Sequence, residues 1–217
     1  MSTTVLHVRA MLFDFDGVLV DSATAVTRAW TQWAQDHGLQ VTADGIHGVR
    51  AVDSIRRVAP HLDAEHEALR LEQAEIDLVD HVRPIPGAAP LLAALPDDRW
   101  AIVTSGTRRL AATRLDAIGL PRPPVFITAE DVRRGKPAPD AYLLAAERLD
   151  VAAADCVVVE DSPAGVLAGR QAGMSVIAVT TTHDRAEFDD PTLVIDSVAA
   201  LRCTVTADGR LAVSAAS

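Results

Sequence analysis

The chain has 217 residues, 49% apolar and 4% aromatic, with 20 basic against 30 acidic side chains and a formal net charge of −10. That is enough apolar material for one sizeable domain, or a domain with a smaller insert, whose core must be filled by Ala, Val and Leu. No basic stripe suits nucleic acid, no apolar span of about 18 residues suits a membrane helix, and Cys156 and Cys203 alone give no disulfide framework.

The start, MSTTVLHVRA, has no basic stretch followed by a long apolar run, so no signal peptide is read and a cytoplasmic location is expected. Val8 to Phe15 predicts a buried strand. Ser22 is placed to cap a helix from Ala23 to His37, with Val26, Trp30, Trp33 and His37 on one face and Gly38 at its end. A second helix is expected over Asp44 to Val58. A third starts near Asp63 and carries Leu69, Ile76 and Val79 on one side. The block from Ser22 to His81 thus reads as helical until RPIPGAAP punctuates it.

The rhythm then alternates. Strands are expected at Trp100 to Thr104, Val125 to Thr128, Cys156 to Glu160, Ser175 to Thr180 and Leu193 to Ile195. Helices are expected at Thr107 to Ile118, Asp140 to Leu149 and Pro163 to Ala172. This predicts an α/β fold, a doubly wound parallel sheet with a helical insertion after strand one. LRCTVTADGRLAVS, with Asp208-Gly209 between alternating residues, reads as a terminal hairpin.

Ligands of such sheets lie beyond the carboxyl ends of the strands. Those ends deliver Asp14 and Asp16, then Thr104, Ser105 and Gly106, then Glu160 and Asp161; the loop after Thr128 adds Lys136. Carboxylates beside hydroxyls, a helix start and a lysine suit a hard divalent cation next to a phosphate. Gly135-Lys136-Pro137 is not a P-loop, because the first Gly is missing and Pro replaces Ser or Thr. No GxGxxG opens a helix after the first strand, and GxSxG, HExxH and CxxC are absent.

DFDGVLVDS, VTSGT, GKPAPDAY and VVEDSPAGVLAGRQAG resemble, in order, the motifs of the haloacid dehalogenase superfamily. The resemblance implies a Rossmann-like core at 1–17 and 85–202, a small helical cap at 18–84 and a hairpin or tail at 203–217. It implies Asp14 as nucleophile and Asp16 as general acid and base, with Ser105, Gly106 and Lys136 holding phosphate. Mg²⁺ would be bound by Asp14, the carbonyl of Asp16, Asp161 and, directly or through water, Glu160. IHGVRAVDSIRRVAP, DRWAIVTSGTRR and FITAEDVRRGKPAPDAY are similar to the glycerol-phosphate and 2-deoxyglucose-6-phosphate phosphatases. That similarity makes His47, Arg50 and Asp21 candidates for substrate contact. The expected activity is Mg²⁺-dependent hydrolysis of a small sugar or polyol phosphate by a monomer or weak dimer. A β-phosphoglucomutase-like mutase and a phosphoglycolate-type phosphatase are the alternatives.

Overall fold

The computed structural model describes residues 4–40 and 48–215. Its centre is a six-stranded parallel sheet of β2 (Ala10–Phe13), β5 (Trp100–Val103), β6 (Val125–Ile127), β7 (Cys156–Glu160), β8 (Ser175–Val179) and β9 (Leu193–Ile195), in the order β6-β5-β2-β7-β8-β9. Both faces of β2 are buried, as a continuous apolar run in a parallel sheet requires. Met11 and Phe13 pack on one side, with Leu91 and Leu92 of α4 (Ala88–Ala93) and Leu115 of α5 (Arg108–Ile118). Ala10 and Leu12 pack on the other, with Tyr142 of α6 (Asp140–Arg148) and Val166 of α7 (Pro163–Gln171). The predicted α/β class is therefore present, in two helical layers around one sheet. Helix α4 was not anticipated; Pro90 lies in its first turn, where a missing N–H costs nothing.

The predicted strand Val8 to Phe15 is in fact broken. β1 (Val5–Val8) leaves at Arg9, whose N–H donates to Asp155 O at 2.6 Å, and joins a separate antiparallel sheet. There β1 pairs with β11 (Leu211–Ala215), which pairs with β10 (Leu201–Val205), so the expected terminal hairpin forms and gains a third strand. Period-two alternation cannot show a change of sheet, because both halves are apolar and extended.

Between β3 (Val20–Asp21) and β4 (Arg83–Pro84), which pair antiparallel, lie α1 (Ala23–Asp36), α2 (Ala51–Val58) and α3 (Ala64–Asp77). These helices share their own core, in which Trp30 and Trp33 meet edge-on at 5.5 Å between ring centres. The second predicted helix started too early: Gly48 to Arg50 are not helical, and residues 44–47 lie outside the described residues. The third helix buries Ala64, Glu67, Leu71, Glu72 and Glu75, whereas Leu69, expected inside, is 65% exposed. Ser22 stands at the start of α1 without capping it; the Asp21 carboxylate accepts from Ala23 N at 3.2 Å instead.

Candidate active site

Asp14 follows β2, Ser105 follows β5, Lys136 lies in the loop after β6, and Asp161 follows β7, so parallel strands deliver all of them to one edge. Gly17 lets the chain turn there. Its φ is +80°, and a Cβ would sit 1.8 Å from Asp161 Oδ2, so any larger residue would collide with the carboxylate.

Lys136 ties the cluster together. Its buried ammonium donates to Asp14 Oδ1, to Glu160 Oε1 at 2.5 Å and to Val103 O at 3.3 Å, which uses all of its donors. Burial would lower the lysine, but Asp14 and Glu160 outweigh it and hold the ammonium above its ordinary range. Glu160, fully buried, is saturated. Oε1 also accepts from Tyr142 Oη at 2.9 Å, and Oε2 accepts from the backbone N–H groups of Asp161 and Ser162 and from Ser162 Oγ. Gly165 makes room for it, since a Cβ there would lie 1.6 Å from Glu160 Oε1.

Asp14, Glu160 and Asp161 each offer a carboxylate oxygen, all within 4.8 Å of one another and all buried. One lysine does not neutralise them. Burial pushes Asp14 up to about 8, with Glu160 and Asp16 adding to the rise and Lys136 opposing it. Burial likewise pushes Asp161 well above the carboxylate range, with Asp14 and Glu160 adding to the effect. Hard oxygen donors carrying excess negative charge in a buried site fit Mg²⁺. Thr182 Oγ1 holds Asp161 Oδ2 at 2.5 Å, and Thr181 Oγ1 donates to Gly17 O at 2.5 Å.

Asp16 is separate from this cluster. It lines a cavity of about 550 Å³ between the helical insert and the sheet. Its Oδ1 accepts from Ser22 Oγ and from Arg114 Nη1, each at 2.6 Å. Arg114 Nη2 reaches Glu75 Oε2 on α3 at 2.5 Å, so one buried guanidinium joins the sheet domain to the insert. The sequence reading missed Arg114. Its signal was a charged residue at an inward position beside Leu110, Ala111 and Leu115 of α5. It also missed Tyr142 and Thr182, which nothing local in the sequence marks.

The other expected site residues divide. Ser105 and Gly106 line the cavity; Ser105 Oγ donates to Gly48 O at 2.9 Å, and Gly106 N–H donates to Thr104 Oγ1 at 3.0 Å. Arg50 lines it too, but is held by Asp53 Oδ2 at 2.6 Å and by Arg133 O at 3.1 Å, against Gly135. Asp21 is exposed on the β3–β4 ribbon and does not line the cavity. His47 lies outside the described residues.

A parallel sheet thus gathers carboxylates, a buried lysine and a cavity at its carboxyl edge, an α/β arrangement suited to a phosphate ester beside a hard cation. A sequence profile of haloacid dehalogenase-like hydrolases matches residues 8–173. Hexitol phosphatase A of Escherichia coli (strain K12) is 44% identical over 214 residues, covering 94% of this chain and 98% of that one. Glycerol-1-phosphate phosphohydrolase 2 of Saccharomyces cerevisiae is 39% identical over 198 residues, covering 82% and 77%. A solved hydrolase from Pseudomonas syringae superposes with a TM-score of 0.81 at 25% identity, over 88% of this chain and 94% of that one. The chain belongs to the haloacid dehalogenase-like hydrolase family and is a phosphatase, a phosphoric monoester hydrolase.

Proposed function

We propose that the protein hydrolyses a small sugar or polyol phosphate monoester through an aspartyl-phosphate on Asp14, with Mg²⁺ bound. The observation that carries this reading is the contact of Lys136 with Asp14 inside the buried carboxylate cluster, next to a cavity that Asp16 lines. The relatives named for hexitol phosphatase, glycerol-1-phosphate and 2-deoxyglucose-6-phosphate activities support the substrate class.

Asp14 Oδ attacks phosphorus in line with the ester oxygen, forming an acyl phosphate and breaking the ester bond. Asp16, when protonated, gives its proton to the leaving oxygen; it then takes one from the water that hydrolyses the acyl phosphate. Lys136, by exchanging its long contact with Val103 O, and Ser105, by releasing Gly48 O, would hold the equatorial oxygens, and the Lys136 ammonium would offset their charge. Asp14, Asp161 and the carbonyl of Asp16 would hold the cation. Glu160, already engaged by Lys136, Tyr142 and the start of α7, would chiefly fix the lysine and Asp161. When bound, Mg²⁺ supplies positive charge to the phosphoryl oxygens. Gly106 would reach a phosphate oxygen only by giving up its bond to Thr104.

Asp14→Asn should reduce phosphate release from p-nitrophenyl phosphate by at least about 1,000-fold. Chelation should silence the native protein and Mg²⁺ restore it. Substantial turnover by the variant would sink the nucleophile assignment, and activity in chelator would sink the metal. Glucose 1-phosphate isomerisation, run alongside, separates transfer to water from transfer to a sugar hydroxyl.

A further inference from the structure

Helix α3 turns Glu67, Glu72 and Glu75 inward, each no more than 7% exposed. Glu67 is satisfied within the insert by Trp33, His37 and Arg70. Glu72 and Glu75 instead face the sheet domain. Arg109 Nη1 donates to Glu72 Oε1 at 3.2 Å, and Arg114 Nη2 donates to Glu75 Oε2 at 2.5 Å. Stability alone does not call for these glutamates, since replacing a buried ion pair by well-packed apolar residues is often neutral or stabilising.

Both glutamates line the cavity that also contains Asp14 and Asp16. Among the described residues only one carboxylate oxygen of each is bonded. Among the described residues, the buried side-chain atoms sealed without a partner are Trp100 Nε1 and Arg114 Nε, so the free oxygens of Glu72 and Glu75 are not among the sealed ones. They are acceptors open to whatever enters.

Three of the four arginines of the same wall are already committed. Arg50 pairs with Asp53, Arg56 with Glu65, and Arg114 with Asp16 and Glu75. Arg133 is exposed. The remaining wall includes Val26, Trp30, Ala68 and Leu69. Such a chamber suits a partner that donates hydrogen bonds and carries no charge of its own beyond the phosphate being removed.

We propose that Glu72 and Glu75 determine specificity by accepting hydrogen bonds from hydroxyls of a neutral polyhydroxy leaving group. Each is pinned by one oxygen on an arginine of α5 and offers the other to substrate. The Glu72 carboxylate also repels a leaving group that bears a second phosphate or a carboxylate. This assignment rests on the phosphatase reading of the site.

The test measures kcat/KM of the full chain with Mg²⁺ for a hexitol monophosphate, p-nitrophenyl phosphate and a hexose bisphosphate. Glu72→Gln should lower the hexitol-to-nitrophenyl ratio about tenfold, mainly through KM, and Glu75→Gln should move it in the same direction. Glu72→Lys should raise the bisphosphate-to-monophosphate ratio. Thermal melting of each variant checks that the fold persists, and the isosteric Gln variants carry the test if the Lys variant does not fold. Equal losses on hexitol and nitrophenyl esters in both Gln variants would overturn the assignment while leaving the phosphatase reading intact. A native protein that cleaves the nitrophenyl ester but no hexitol or sugar monophosphate would remove the reading beneath it.

Discussion

Arg114 holds Asp16 with one nitrogen and Glu75 with another while its own Nε is sealed without a partner. Two charge-assisted bonds outweigh that unmet donor. Removing the guanidinium strands Glu75 in a buried wall and frees the Asp16 carboxylate. Arg114→Met should therefore cost about 3–5 kcal/mol in denaturant unfolding and lower kcat as well. The double variant Arg114→Met with Glu75→Met should regain much of the stability, because no buried lone charge remains on α3 and Asp16 is 31% exposed, yet stay slow. Recovery of kcat along with stability would show that Arg114 serves only the fold. Lys136 differs in kind. It touches Asp14 itself, so its loss removes both the counter-charge of the cluster and the expected phosphate contact.

At the scale of elements, the helical insert is tied together through Glu67. Burial works against its ionised form, but the bonds from Trp33 Nε1, His37 and Arg70 prevail and hold the carboxyl below its ordinary value. A carboxylate lowered on folding stabilises above its unfolded value and loses that contribution as pH falls through the folded one. Trp33 fluorescence should therefore change as the protein is acidified below about pH 4.5, and Glu67→Gln should flatten the transition; an unchanged transition would argue that Glu67 does not tie the helices. Helix α3 also shows where sequence reading fails. The apolar residues Leu69, Ile76 and Val79 gave a plausible stripe, but the buried stripe is carried by glutamates whose partners come from α1 and α5, far along the chain. The strand ends were legible because parallel strands read as short apolar runs: Asp14 follows β2, Glu160 ends β7 and Asp161 follows it, while Lys136 was marked by its place between Gly135 and Pro137 in the loop after β6. Asp21, expected as a substrate contact beside the hinge, does not line the cavity, and its carboxylate accepts from Ala23 N–H at the start of α1.

At the scale of the molecule, three apolar clusters among the described residues divide the work, two flanking the central sheet and one within the insert. The antiparallel sheet joins the first of them through Leu201, Leu211 and Val213. A chain ending at Ala200 would strip β1 of its partner strand and uncover those contacts. It should unfold at clearly lower denaturant or fail to accumulate as soluble protein, although every proposed catalytic residue remains. An unchanged midpoint would mean that the hairpin is dispensable.

The pairing of β1 with β11 has a consequence for biosynthesis. Val5 faces Ser214, so this segment, made well before its partner strand, has no partner until translation has passed residue 214. Meanwhile β2, just past the bend at Arg9, takes neighbours made earlier, Trp100–Val103 and Cys156–Glu160. The nascent chain can thus organise its catalytic edge while Val5–Val8 remains an unpaired, aggregation-prone tether, which makes closure of that small sheet a late event in maturation.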